Sequence, residues 1–179
     1  MRIIGGDAKG KRLFFPAGVR LRPTSDKVRE ALFNILAFKI SGASFLDLYA
    51  GCGSVGIEAI SRGAKQVVFV EKEKTHTLLI KKNLSVFPTY DAVKVFEGTA
   101  LHFLKKNNDP FDIIFVDPPY ADLSEEILQT LGCCNTVQRT CIIIIEHFHK
   151  KNLPDIIGDL SLLKRYRYGG TTLTFYVKN

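Results

Sequence analysis

The chain has 179 residues, 46% of them apolar and 24% charged, with a net charge of +7. That length suits one domain with a substantial core. No run reaches the roughly 18 apolar residues of a membrane span, and the start lacks a secretory signal's apolar stretch, so a cytoplasmic location is expected.

Residues 1–22 read as a glycine-rich, basic hairpin or arm. Thr24 or Ser25 can cap the helix that follows, in which Val28, Leu32, Ile35 and Leu36 recur at helical spacing. Arg29 falls off that stripe and is expected to face a substrate. Strands are then predicted at 45–50, 66–71, 92–97, 111–117 and 140–146. Helices are predicted at about 55–62, 74–86, 99–107 and 122–133. This alternation implies a mostly parallel sheet with helices on both faces. Residues 160–168 and 171–178 read as two strands of a hairpin turning at Gly169-Gly170. The whole is expected to be one domain, 1–179, with an arm at 1–24 and a core at 25–179. Cys52, Cys133, Cys134 and Cys141 form no C-x-x-C, and no histidine pair has zinc spacing, so no metal is expected.

Two strand ends carry the chemistry. Gly51-Cys52-Gly53-Ser54-Val55-Gly56 sits between a strand and a helix, a spacing that lets a backbone approach a ligand closely. Glu71 ends the next strand, where an acid can accept hydrogen bonds from a ribose diol. Asp47 lies at the mouth of the loop, where a carboxylate would repel the pyrophosphate of a dinucleotide. It would favour an ammonium or a sulfonium, and S-adenosylmethionine carries both. Further along, Asp117-Pro118-Pro119-Tyr120 closes an apolar strand. Asp117 and the Pro118 carbonyl can each accept one hydrogen of a planar amine, and Tyr120 can stack on the ring that bears it. Alone, that tetrapeptide also fits a structural turn.

Charge is uneven. Residues 1–30 hold eight Lys/Arg and three acids, 31–146 eleven and thirteen, and 147–179 six and two. Basic ends on a slightly acidic core suit contact with nucleic acid.

These motifs resemble the class I S-adenosylmethionine-dependent methyltransferases with a Rossmann-like fold, and more narrowly the RsmD family of 16S rRNA guanine-N2 methyltransferases. The resemblance is carried by Arg2-Ile3-Ile4-Gly5-Gly6 and Gly10-Lys11-Arg12-Leu13. It continues through Arg22-Pro23-Thr24-Ser25-Asp26-Lys27-Val28-Arg29-Glu30-Ala31-Leu32-Phe33-Asn34-Ile35-Leu36, the glycine loop, Asp117-Pro118-Pro119-Tyr120 and Tyr168-Gly169-Gly170-Thr171-Thr172. It implies a seven-stranded sheet with one antiparallel strand, and rRNA in a small subunit or assembly intermediate as partner. Asp117, Pro118 and Tyr120 are the expected catalytic residues. Asp47, Ala50, Gly51, Gly53, Gly56, Glu71, Lys72, Thr99 and Ala100 are expected around the cofactor. Lys11, Arg12, Arg22, Thr24 and Arg29 are expected against RNA. The family usually has Asp where Thr99 stands, so adenine would lose a charged acceptor. Methylation of adenine or cytosine in DNA, and a non-catalytic rRNA-binding assembly factor, are alternatives; a nicotinamide dehydrogenase is disfavoured by Asp47.

Overall fold

A computed structural model describes residues 1–15, 24–87, 92–119 and 124–178. The elements run α1 (Asp26–Ile35), β1 (Ser44–Leu48), α2 (Ser54–Ser61), β2 (Gln66–Glu71), α3 (Lys74–Leu84), β3 (Val93–Glu97) and α4 (Ala100–Lys106). Then follow β4 (Phe111–Val116), α5 (Glu125–Cys133), β5 (Val137–Phe148), β6 (Ile156–Ile157), β7 (Leu160–Tyr168) and β8 (Thr171–Lys178). They form one sheet of order β3-β2-β1-β4-β5-β8-β7-β6. The β1, β2, β3, β4 and β5 neighbours pair in parallel, and β8 runs antiparallel between β5 and β7.

The expected seven strands are all there. An eighth, β6, adds two residues at the β7 edge, too short to leave a periodic trace in sequence. β5 is longer than 140–146 because its first turns pair with Phe111 across a register shift.

The apolar runs are continuous because both sheet faces are covered. Phe45, Val67, Phe69, Ile113, Phe115, Ile142 and Ile144 join the core under α1, α2 and α3. Their neighbours Leu46, Val68, Val70, Ile114, Val116, Ile143 and Ile145 join the core under α4 and α5. From β1 the chain winds outward to β3, then returns to β4 on the other side. That reversal leaves a crevice at the carboxyl ends of β1 and β4, where open α/β sheets bind ligands.

The arm begins as a small turn, with Arg2 bridged to Arg12 and Ile3 N–H donating to the Lys11 carbonyl at 3.0 Å. It is fastened to the carboxyl end of α2. Ile4 and Gly5 N–H donate to Glu58 at 2.8 and 2.7 Å, and Asp7 N–H donates to the Ser61 carbonyl at 2.7 Å. Gly6 has φ +74, and a Cβ there would overlap the Ser61 carbonyl, so only glycine fits this crossing.

Candidate active site

The glycine loop is held from two sides. After β1 the chain reverses through Tyr49, a non-glycine residue at φ 65, then Gly51 at φ 55 and Gly53 at φ 79. Left-handed backbone in a tyrosine costs on the order of 1–3 kcal/mol and clusters at functional sites. Gly51 N–H donates to Glu71 at 2.8 Å, and Glu73 N–H donates to the same carboxylate at 2.9 Å. Gly56 N–H donates to Asp47 at 2.8 Å. A Cβ on Gly56 would overlap the Phe69 ring, so this glycine lets α2 lie against β2. Asp47 is buried, and loss of solvation pushes its carboxyl up to about 7; the Gly56 hydrogen bond opposes this and the Glu71 charge adds to it.

The acceptor side comes from β4 and β5. Val116 and Ile145 are register partners, so Asp117 and Glu146, the next residue on each strand, stand side by side at the rim. The Thr24 Oγ1 hydroxyl lies 3.1 Å from Glu146 Oε2 and 3.4 Å from Asp117 Oδ2. Pro118 is buried and Pro119 exposed. Tyr120 lies outside the described residues.

Both sides open on one cavity of about 920 Å³. Its walls include Asp47, Ala50, Gly51, Glu71, Lys72, Thr99 and Ala100, and also Asp117, Pro118, Glu146 and Thr24. Gly53 and Gly56 do not line it; their part is to shape the loop. So a ligand on the glycine loop and a group held by Asp117 would share one enclosed space. The family described as Conserved hypothetical protein 95 matches residues 1–177. A protein of Escherichia coli K12 named Ribosomal RNA small subunit methyltransferase D is 35% identical over 98% of this chain and 89% of its own. This chain belongs to the RsmD family. A Haemophilus influenzae protein of the same name is 39% identical over 82% of this chain and 78% of its own. The solved Escherichia coli protein yhhF superposes on the chain with TM-score 0.89 and 34% identity, covering 100% of this chain and 98% of that one. A ribosomal protein L11 methylase of Lactobacillus delbrueckii shares the fold, at TM-score 0.68 and 16% identity over 83% of this chain and 77% of that one.

In this RsmD-family chain the residues assigned to RNA do not stay together. Lys11 and Arg12 are exposed on the arm, Lys11 Nζ reaching the Val86 carbonyl at 3.2 Å. Arg22 lies outside the described residues. Arg29 overturns its expectation. Its side chain is 0% exposed, donates to the Arg2 carbonyl at 2.7 Å, and pairs with Asp26 at 3.0 Å and Glu58 at 3.6 Å. It sits off the apolar stripe because the arm covers that flank of α1, making the flank interior. Thr24 is buried too, but at the cavity wall, where its hydroxyl reaches the acceptor acids.

Thr99 caps α4, its hydroxyl accepting from His102 N–H at 3.2 Å, while it also lines the cavity. Glu146 and His76 also border the cavity, outside the expected set. Glu146 follows the apolar run Ile142–Ile145 as Asp117 follows its own strand, and that parallel was the available signal. His76 carried none: its Nδ1 lies 3.6 Å from Glu71 because α3 folds back over β2. No group of side chains able to hold a metal occurs among the described residues, and no helix there is long and apolar enough to cross a membrane.

Proposed function

We propose that this chain transfers a methyl group from S-adenosylmethionine to the exocyclic N2 amine of a guanine in small-subunit rRNA. The observation that carries this reading is the shared cavity: the glycine loop with Asp47 and Glu71 on one side, Asp117 and Pro118 on the other.

The residues fit the cofactor. Asp47 is a buried acid with no cation beside it among the described residues, so a ligand ammonium or sulfonium would relieve its desolvation. Glu71 stands where a ribose diol can donate to it. His76 Nδ1, buried beside it without a hydrogen-bond partner, is an orphan that a ligand hydroxyl would satisfy. Thr99 and Ala100 would border the adenine, and Lys72 the ribose edge. Bound S-adenosylmethionine supplies an electrophilic methyl group. An aryl amine is a weak nucleophile because its lone pair is delocalised into the ring. Asp117 and the Pro118 carbonyl each accept one N–H, which turns that lone pair out of the ring. Asp117 then takes up the proton the amine loses. Orientation and fixed dipoles are the main contributions, and the cysteines have no part. The target base must leave its stack, and Tyr120 would supply a replacement. The exposed Lys11 and Arg12 would meet RNA phosphates.

The test is transfer of tritiated methyl from S-adenosylmethionine to small-subunit rRNA and to DNA, with nucleoside mass spectrometry of the product. N2-methylguanosine in rRNA alone is expected. Methylated adenine or cytosine in DNA would replace this reading with the DNA alternative.

A further inference from the structure

We infer that Glu146 selects guanine, accepting the ring N1–H while Asp117 holds the neighbouring amine. This rests on the guanine methyl transfer proposed above and adds a residue to it that neither sequence motif contains.

The two acids are neighbours by register. Asp117 and Glu146 each follow one member of the pair Val116–Ile145 on adjacent strands, which lie about 4.8 Å apart in a sheet. They also converge. One hydroxyl, Thr24 Oγ1, is within 3.4 Å of Asp117 Oδ2 and 3.1 Å of Glu146 Oε2. Thr24 is 5% exposed, and all three groups border the same cavity. Two carboxylates that converge on one point of the cavity suit a ligand edge that offers several N–H groups in a row.

Base edges differ in that respect. On guanine the N2 amine stands next to a ring N–H, so the edge presents three hydrogens on adjacent nitrogens. On adenine and cytosine the exocyclic amine stands next to a ring nitrogen that carries a lone pair. Asp117 and Pro118 accept an amine from any of the three. Glu146 beside them accepts from guanine and meets a lone pair on the others. Unpaired acceptors facing one another in a closed site discriminate more strongly than a missing apolar contact does. The Asp-Pro-Pro-Tyr turn thus recognises an amine, and its β5 neighbour recognises which base bears it.

The test uses small-subunit rRNA in which the acceptor nucleotide, mapped by mass spectrometry, is replaced through splinted ligation by 2-aminopurine. That base keeps the 2-amine but has a lone pair at N1. Wild-type protein and Glu146→Gln are compared by kcat/KM for methyl transfer to both RNAs. Gln keeps the shape and offers an N–H as well as a carbonyl. The wild type is expected to prefer guanine by about tenfold or more, and Glu146→Gln to lose about tenfold of that preference. S-adenosylmethionine affinity within about twofold of wild type reports an intact site. Equal loss on both RNAs, with the preference unchanged, overturns the role of Glu146 and leaves the proposed function standing. No transfer to guanine by the wild type overturns the function and this inference together.

Discussion

Glu58 and Asp47 are buried acids on the same strand–loop–helix unit, and they are treated in opposite ways. Glu58 accepts from Ile4 N–H, Gly5 N–H and Arg62 Nε at 2.8, 2.7 and 2.9 Å and faces the Arg29 guanidinium. Asp47 accepts from Gly56 N–H, faces no cation among the described residues, and is held up to about 7. A buried charge surrounded by donors is a structural joint. A buried acid with one donor and a cavity beside it is poised for a ligand. So α2 works at both ends: its amino end shapes the ligand cavity, and its carboxyl end clasps the arm.

The largest effect expected from that contrast is on stability. Glu58→Ala leaves the buried Arg29 with the exposed Asp26 as its carboxylate partner among the described residues, and strips two arm N–H groups of their acceptor. Urea unfolding should register a loss of about 3–5 kcal/mol. A loss below about 1 kcal/mol would break the contrast at its structural end. Next comes chemistry without stability. Asp117→Ala is expected to slow single-turnover methyl transfer by roughly 10²-fold or more, with S-adenosylmethionine affinity within a few-fold of wild type. Asp117→Asn separates orientation from charge, since its oxygen can still accept from the amine. Full activity in both variants would return Asp117 to a structural turn. Glu71→Ala comes third. Isothermal calorimetry should find S-adenosylmethionine affinity weaker by about 1.5–3 kcal/mol, the scale of charge-assisted hydrogen bonds. Unchanged affinity would remove Glu71 from the ligand.

The smallest effect sharpens the Asp47 end. Its folded value of about 7 lies above the usual 3.8. The stability it permits is therefore full below about pH 4 and is lost as pH rises through 7. A cationic ligand prefers the ionised form, so the sign reverses for binding. S-adenosylmethionine affinity should rise about tenfold between pH 6 and pH 8 through this group, and Asp47→Asn should remove that component. Equal pH dependence in the two proteins would mean that Asp47 does not meet the cation.

How far the placement of these residues is legible in sequence depends on what carries it. The glycine loop, Glu71 and Asp117 are readable because each is punctuation: glycines, prolines or an acid closing an apolar run, effects that act within a few residues of chain. The strand and helix periods are readable for the same reason, since burial on both faces leaves runs such as Ile142–Ile145 with no polar interruption. Arg29 was misread because one helix's periodicity locates its main apolar stripe but not a second covering over its flank. That covering comes from the arm, whose Arg2 carbonyl accepts from Arg29 and whose Ile4 and Gly5 bind Glu58, the acid facing Arg29, across more than fifty positions of sequence. Thr24, expected against RNA, lies buried at the cavity wall beside the acceptor acids, while Arg22 and Tyr120 lie outside the described residues. Glu146 is not legible in sequence because an acid at a strand end acquires meaning only from the strand beside it. Chain order does not say that β4 and β5 are neighbours with Val116 opposite Ile145. Local composition and period determined the elements and the glycine loop that borders the cavity. Strand order and register, set by packing across the whole sheet, decided which acids converge on the cavity and which charge is sealed inside.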